Sequence, residues 1–253
     1  MRVVALVQAR LASTRLPQKV LADLCGRPMV MHCVERARRA AGVDEVIIAT
    51  TVEASDDPLE AFCDASSLGV YRGSVDDIVG RLLGAAHARQ ADAIVRIWAD
   101  CPMVDPVVIE RAVAAVIGGG ADYATNSTLA GRTYPVGLDI EVYTTALLER
   151  IDRSTDHPFL REMPFEFVRE HAPELELAFV RHDEDLSDVH LTVDYPEDLE
   201  RFRAMLTDLE RADRPPDFAD AVAWLRAHAG EDVAHLRDVD YTSKLERYRE
   251  EER

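Results

Sequence analysis

The sequence predicts an α/β fold: a mostly parallel sheet flanked by helices, with a small inserted lobe and a helical C-terminus. Three observations carry this. Short β-rich apolar runs alternate with helical stretches over the first 120 residues, the spacing of βαβ units. From Asp122 to Val189 the alternation gives way to short strand-like pieces around a Phe-rich stretch. Beyond residue 197 the chain reads as amphipathic helices, broken at Pro215-Pro216.

Each element has its own signal. Val3–Val7 is a continuous apolar run, as expected of a parallel strand buried on both faces. A polar loop, Gln8–Lys19, follows, then a short apolar segment and a helix over Pro28–Ala41, with Pro28 suited to its first turn and Gly42 to its stop. Val46–Thr50 is the second strand, Asp57–Ser66 a helix, Val70–Arg72 a third strand, and Asp77 to Arg89 a helix. Ala93–Ile97 is a fourth strand ending at Trp98-Ala99-Asp100, and the helix Val107–Ile117 runs into Gly118-Gly119-Gly120. In the 122–190 lobe, Tyr123–Asn126, Asp139–Val142 and Leu177–Val180 read as strands and Thr145–Arg150 as a helix, with a Phe-rich stretch over Phe159–His171. Val189–Val193 is expected to return as a strand ending at Asp194. In such sheets ligands sit at the carboxyl ends of the strands, near the point where strand order reverses. That places Gln8–Lys19, Thr50-Thr51, Arg72–Asp77 and Asp100 on one rim.

Composition narrows the function classes. At 47% hydrophobic and 30% charged residues, the chain is an ordinary globular sequence. Its apolar runs are far shorter than a membrane span and its N-terminus does not resemble a signal peptide, so a cytoplasmic protein without a membrane partner is expected. Cys25, Cys33, Cys63 and Cys101 form no CxxC pair and read as free thiols. The net charge of −18 argues against a nucleic-acid polymer as partner. The charge is uneven, however: the first 40 residues hold eight Arg or Lys against Asp23 and Glu35, a balance of +6 that leaves −24 for the rest. A basic segment in an acidic protein points to a local site for a small anionic ligand.

The loop Gln8-Ala9-Arg10-Leu11-Ala12-Ser13-Thr14-Arg15-Leu16-Pro17-Gln18-Lys19 offers two guanidinium forks, an ammonium, two hydroxyls and a run of amides directly after the first strand. Those groups suit a triphosphate and the charge that develops as pyrophosphate leaves. The loop is not a Walker motif, and it lacks the Gly-rich turn of a dinucleotide-binding dehydrogenase. Asp100 and Asp194 each follow a predicted strand and precede a Pro within two residues. An Asp in that place is otherwise a cap or a turn residue, but two on one rim also suit Mg²⁺, which takes one or two carboxylates together with phosphates. The histidines show no metal-ligand spacing.

The loop resembles the signature of the CMP-sugar synthetases. It is most similar to the spore-coat-polysaccharide (SpsF-like) cytidylyltransferases related to CMP-KDO and CMP-sialate synthetases. The similarity continues through Gly26–Met29, Val46–Thr51, Asp56–Leu59, Tyr71–Ile78, Val95–Pro106, Asp122-Tyr123, Asn126, Tyr134–Val142 and Leu191–Asp198, covering roughly residues 1–200 in order. The resemblance implies a nucleotide-diphospho-sugar-transferase-like domain over 1–253, a homodimer formed through the 122–190 lobe, and transfer of CMP from CTP to an acidic acceptor such as a nonulosonic acid. It implies that Ala9, Arg10, Ser13, Thr14, Arg15 and Lys19 hold the CTP phosphates, and that Thr51, Arg72, Ser74 and Asp77 surround cytosine and ribose. Asp100 and Asp194 would bind Mg²⁺; Arg15, Lys19 and Asp100 would act in catalysis; Tyr134, Asp139, Glu141, Arg161 and Glu162 would meet the acceptor.

Two departures bear on the acceptor. The family's Thr-Gly before the metal aspartate is Trp98-Ala99 here, and the His of its Arg-Glu-His pattern is Met163 in Arg161-Glu162-Met163. A different acid, for example a phosphonate, is therefore an alternative acceptor. A glycosyltransferase using a finished nucleotide sugar is the other alternative, although Asp100-Cys101-Pro102 does not form its DxD motif.

Overall fold

A computed structural model of the chain describes residues 1–127, 129, 131–210, 214–228 and 239–251. Strand β1 (Val3–Gln8) runs through the centre of a seven-stranded sheet. Residues Val3 to Val7 are all 0% exposed. Val3, Ala5 and Val7 enter one core layer while Val4 and Leu6 enter the other, so the unbroken apolar run reflects a strand covered on both faces.

With β2 (Asp23–Leu24) and β3 (Arg27–Pro28) set aside as a separate hairpin, the sheet contains β4 (Glu45–Thr51), β5 (Gly69–Gly73), β6 (Ala93–Trp98), β7 (Tyr123–Thr125), β8 (Ile140–Thr144) and β9 (Leu177–Phe179). Their spatial order is β5-β4-β1-β6-β8-β7-β9. β5, β4, β1 and β6 are mutually parallel, and β8 alone runs against its neighbours β6 and β7. Chain order reverses at β1, where β4 lies on one side and β6 on the other. The crevice of this α/β sheet therefore opens beyond Gln8 and Trp98, which are register partners. The 122–190 segment supplies β7, β8 and β9 to the same sheet.

The helices α1 (Met29–Arg38), α2 (Asp57–Ala65), α4 (Pro106–Ile117), α8 (Pro196–Asp208) and α9 (Phe218–Ala227) pack on one face. α3 (Ile78–Ala88), α5 (Thr145–Ser154) and α7 (Pro164–Glu170) pack on the other. α6 (Pro158–Glu162) forms a third apolar cluster with α10 (Val239–Glu251), centred on Phe159, Leu160 and Tyr248 with Met163 against it. Caps fix the entries: the Asp77 carboxylate accepts from the Gly80 N–H at 2.8 Å, and Asp105 accepts from the Val107 and Val108 N–H groups. Gly42 holds φ +84 after α1, and a Cβ there would meet Val113 at 2.9 Å, so the close packing of α4 also requires glycine. No helix among the described residues is long and apolar enough to cross a membrane.

Two sequence expectations are corrected. Val189–Val193 does not form a strand of the sheet: His190 makes a single bridge to Val136, and the Val193 N–H bonds the Asp100 carbonyl at 2.9 Å. This extended segment crosses the rim beyond the end of β6, which leaves it no ladder to join. The short apolar segment before α1 contains the two-residue hairpin β2–β3, whose turn residues Cys25 (φ 53) and Gly26 (φ 83) are both left-handed, as a tight hairpin with right-handed strand twist requires.

Candidate active site

The loop after β1 is tied down before it presents any charge. Leu11 is buried, and its N–H donates to Asp56 Oδ1 at 2.7 Å. Asp56 Oδ2 accepts from the Thr51 hydroxyl, so one buried carboxylate fastens the loop to the end of β4. The backbone then folds on itself, with the Ser13 and Gln18 N–H groups both bonding the Leu11 carbonyl. Gln18 at φ 58 turns the chain into a single 3₁₀ turn that delivers Lys19 inward.

Lys19 is 8% exposed. Its ammonium donates to Asp100 Oδ2 at 2.8 Å, Asp194 Oδ1 at 2.9 Å and the Val193 carbonyl at 3.0 Å. Arg15 reaches the same Asp194 oxygen at 2.8 Å and lies 5.4 Å from the centre of the Tyr195 ring. Burial alone would lower the Lys19 pKa, but the two carboxylates outweigh it and hold the group above its ordinary value. Asp194 is fixed from behind, since its own N–H and that of Tyr195 both donate to Asp198 Oδ2 at 3.0 Å. Four residues singled out in the sequence, Arg15, Lys19, Asp100 and Asp194, thus meet at the switch point although up to 179 positions separate them.

The donor set fits a divalent cation. Two hard carboxylates converge on one point, now held by the Lys19 ammonium, and a hard cation with phosphate ligands needs no more protein oxygens than that. Among the described residues no group of three or more His, Cys, Asp or Glu could hold a metal alone.

The other sequence candidates have these places. The Ala9 N–H bonds the Ala49 carbonyl, extending the sheet hydrogen bonding. Arg10 is exposed and has no hydrogen-bond partner among the described residues. The Ser13 hydroxyl accepts from the Leu16 N–H at 3.3 Å, and Thr14 is exposed. Arg72 is committed elsewhere: it donates to the Thr51 and Glu53 carbonyls and pairs with Asp57 at 2.8 Å and Glu60 at 2.5 Å. The Ser74 hydroxyl accepts from the Asp77 N–H, and Asp77 pairs with Arg161 at 2.7 Å, which also holds Asp152. Tyr134 is buried and accepts from Arg111, Asp139 pairs with Arg132, and Glu162 pairs with Lys244 of α10 at 2.7 Å.

Glu141 lies deeper than the rim. On β8 it accepts from Arg96 of β6 at 2.9 Å and from the hydroxyls of Tyr123 and Tyr143. Arg96 also donates to the Gln8 side chain at 2.9 Å and lies 4.5 Å from the centre of the Trp98 ring. Both members of this ion pair are less than 5% exposed, so the pair stiffens the two strand ends that form the crevice floor. Glu141→Ala would strand a buried guanidinium and is expected to lower stability by about 3–5 kcal/mol, measured by urea unfolding; Glu141→Gln should cost less.

Three positioning residues were given no role in the sequence reading: Asp56, Arg96 and Arg81. Arg81 is 3% exposed, donates to the Ser74 carbonyl at 3.0 Å, and its Nε has no partner. Burial, with repulsion from Arg96 and Arg10, lowers its pKa to about 10. The signal was present: Arg81 stands among Ile78, Val79 and Leu82 on the buried face of α3, and Arg96 among the apolar residues of β6.

A family model described as cytidylyltransferase matches residues 4–239. The spore coat polysaccharide biosynthesis protein SpsF of Bacillus subtilis is 29% identical over 245 residues, 93% of this chain and 98% of that protein. A cytidylyltransferase from Leptospira borgpetersenii superimposes with a TM-score of 0.82 at 29% identity, covering 90% of this chain and 95% of that one. The CMP:2-keto-3-deoxy-manno-octonic acid synthetase complexed with CTP has the same fold, with a TM-score of 0.62 at 22% identity over 83% of this chain and all of that one. On the family match, which spans nearly the whole chain, this protein belongs to the cytidylyltransferases and is a nucleotidyltransferase.

Proposed function

We propose that the protein transfers CMP from CTP to a small acidic acceptor and releases pyrophosphate. The observation that carries this reading is the convergence of Lys19 and Arg15 on Asp100 and Asp194 at the switch point. An acceptor oxygen attacks the α-phosphorus, forming the new P–O bond as the bond to the β-phosphate oxygen breaks and pyrophosphate departs. For this, Lys19 and Arg15 exchange their carboxylate partners for phosphate oxygens as CTP binds and hold the leaving group, while Arg10, without a partner among the described residues, adds a third cation. Asp100 and Asp194, relieved of Lys19, are the carboxylates that would hold Mg²⁺. When bound, Mg²⁺ supplies neutralisation of the charge accumulating on the phosphates. The protein contribution is positioning and electrostatics. Direct attack on the α-phosphorus calls for no thiol nucleophile, and burial, which pushes the Cys33 thiol up to about 12 and Cys101 well above its ordinary range, disfavours the thiolate at both.

The acceptor is read as a nonulosonic-type acid from the family resemblance. A second reading, a smaller acid such as a phosphonate, is favoured by one feature. Met163 packs in the Phe159–Tyr248 cluster and Glu162 pairs with Lys244, so α10 occupies the segment that would meet a sugar acid. Assaying pyrophosphate release with CTP and Mg²⁺ against KDO-like, sialic-type and phosphonate acids separates the two readings. Activity with a sugar acid supports the first, and activity confined to phosphonates supports the second. A homodimer through the 122–190 segment belongs to the same proposal; β9 is a sheet edge, with Phe179 exposed.

A further inference from the structure

Six of the eight basic residues in the first forty fall into two groups. Arg10, Arg15 and Lys19 belong to the crevice. Arg27, Arg36 and Arg39 instead line a cavity of about 490 Å³ enclosed by the β2–β3 hairpin, α1, the end of α8 and the Arg214–Pro216 segment. Neither Lys19, Arg15, Asp100 nor Asp194 lines it. His32, Glu35 and Arg36 of α1 and Leu206 and Thr207 of α8 face it.

Two guanidiniums here have no carboxylate at ion-pair distance among the described residues. Arg36 is 6% exposed, yet its partners are the Pro216 carbonyl at 2.6 Å and the Met103 sulfur at 3.2 Å. Neither is an anion, and no carboxylate pairs with Arg36 among the described residues. Burial, followed by repulsion from Arg39, lowers its pKa to about 10. Arg39, at the end of α1, likewise has no ion-pair partner among the described residues. The other two arginines of the wall are neutralised, Arg27 by Glu35 and Arg214 by Asp220 at 2.6 Å. A buried cation without a counter-charge is costly to the fold. Arg36 is the buried one, with Asp105 and Asp217 offsetting its charge only from beyond ion-pair distance, and Arg39 stands exposed beside it; although Glu210 also lines the wall, the two guanidiniums together, in a chain of net charge −18, define a place for a compact anion.

We propose that this cavity is a second ligand site, taking a small phosphate monoester held by Arg36 and Arg39. The planar guanidinium fork matches phosphate oxygens. A monoester is close to a dianion at neutral pH, because its second pKa is about 6. The volume lies within the roughly 300–1,000 Å³ of small-molecule pockets. The site does not depend on the reaction assigned to the crevice.

The test uses the full chain in EDTA, with glycerol phosphate and inorganic phosphate as probes, read by calorimetric titration and by Tm. Glycerol phosphate should bind and raise the Tm, as a ligand of the folded state must. Arg39→Glu, a change at an exposed position, should weaken binding at least about tenfold. Arg36→Met should abolish the ligand-induced rise without lowering the Tm in phosphate-free buffer. Lys19→Ala should leave the affinity unchanged. Absence of binding would overturn the proposal, as would an affinity that falls with Lys19→Ala but not with Arg39→Glu. Binding of inorganic phosphate with exclusion of the monoester would overturn the ligand class.

Discussion

Lys19→Ala is expected to lower turnover with CTP by roughly 10²–10³-fold, the loss typical when a preorganised donor to developing charge is removed. Among the described residues Lys19 is the one group that touches both rim aspartates, and it arrives on a backbone turn that Gln18 strains into the left-handed region. Its loss would remove the proposed phosphate donor and leave Asp100 and Asp194 repelling each other across the gap. Both carboxylates are partly exposed, at 27% and 23%, so water can screen that repulsion and the fold should survive. Steady-state kinetics with CTP, alongside a unfolding curve for each variant, would check this. Unchanged kcat and KM in a folded Lys19→Ala protein would contradict the assignment of the loop.

Asp100→Asn is expected to reduce Mg²⁺-dependent turnover by at least roughly 100-fold, since in the proposed site it would remove one of two anionic ligands from a hard cation. The change is nearly isosteric. The Asp100 backbone carbonyl, which accepts from Val193, is untouched, so the segment that carries Asp194 stays in place. Binding of CTP without divalent cation should persist in this variant, while the Mg²⁺ concentration for half-maximal rate rises. Near-normal activity at ordinary Mg²⁺ would remove Asp100 from the metal site.

Much of the architecture was legible because buried parallel strands and their crossover helices write themselves as local patterns. β1 is an unbroken apolar run, Asp77 and Asp105 stand where caps belong, and the loop after β1 is polar. The 189–193 segment misled because it has strand composition but no neighbouring ladder beyond the end of β6. Within the site, residue type identified the charged groups but not their partners. Arg72 reads as a nucleotide contact; in the fold Asp57 and Glu60, in the first turn of α2, pair with its guanidinium. Glu141 reads as a polar residue near the acceptor, yet its partner Arg96 is 45 positions earlier and appears only when β6 and β8 are placed side by side. Pairings of that kind depend on strand order, which a local pattern does not encode.

The central claim, displacement at the α-phosphorus of CTP, is tested most directly by following label from two positions of the nucleotide. With an active acid acceptor, label in the α-phosphate should appear in the acceptor product and label in the γ-phosphate in pyrophosphate, in equal amounts. Label from the γ-phosphate in the acceptor product, or release of free CMP with no labelled acceptor, would contradict it.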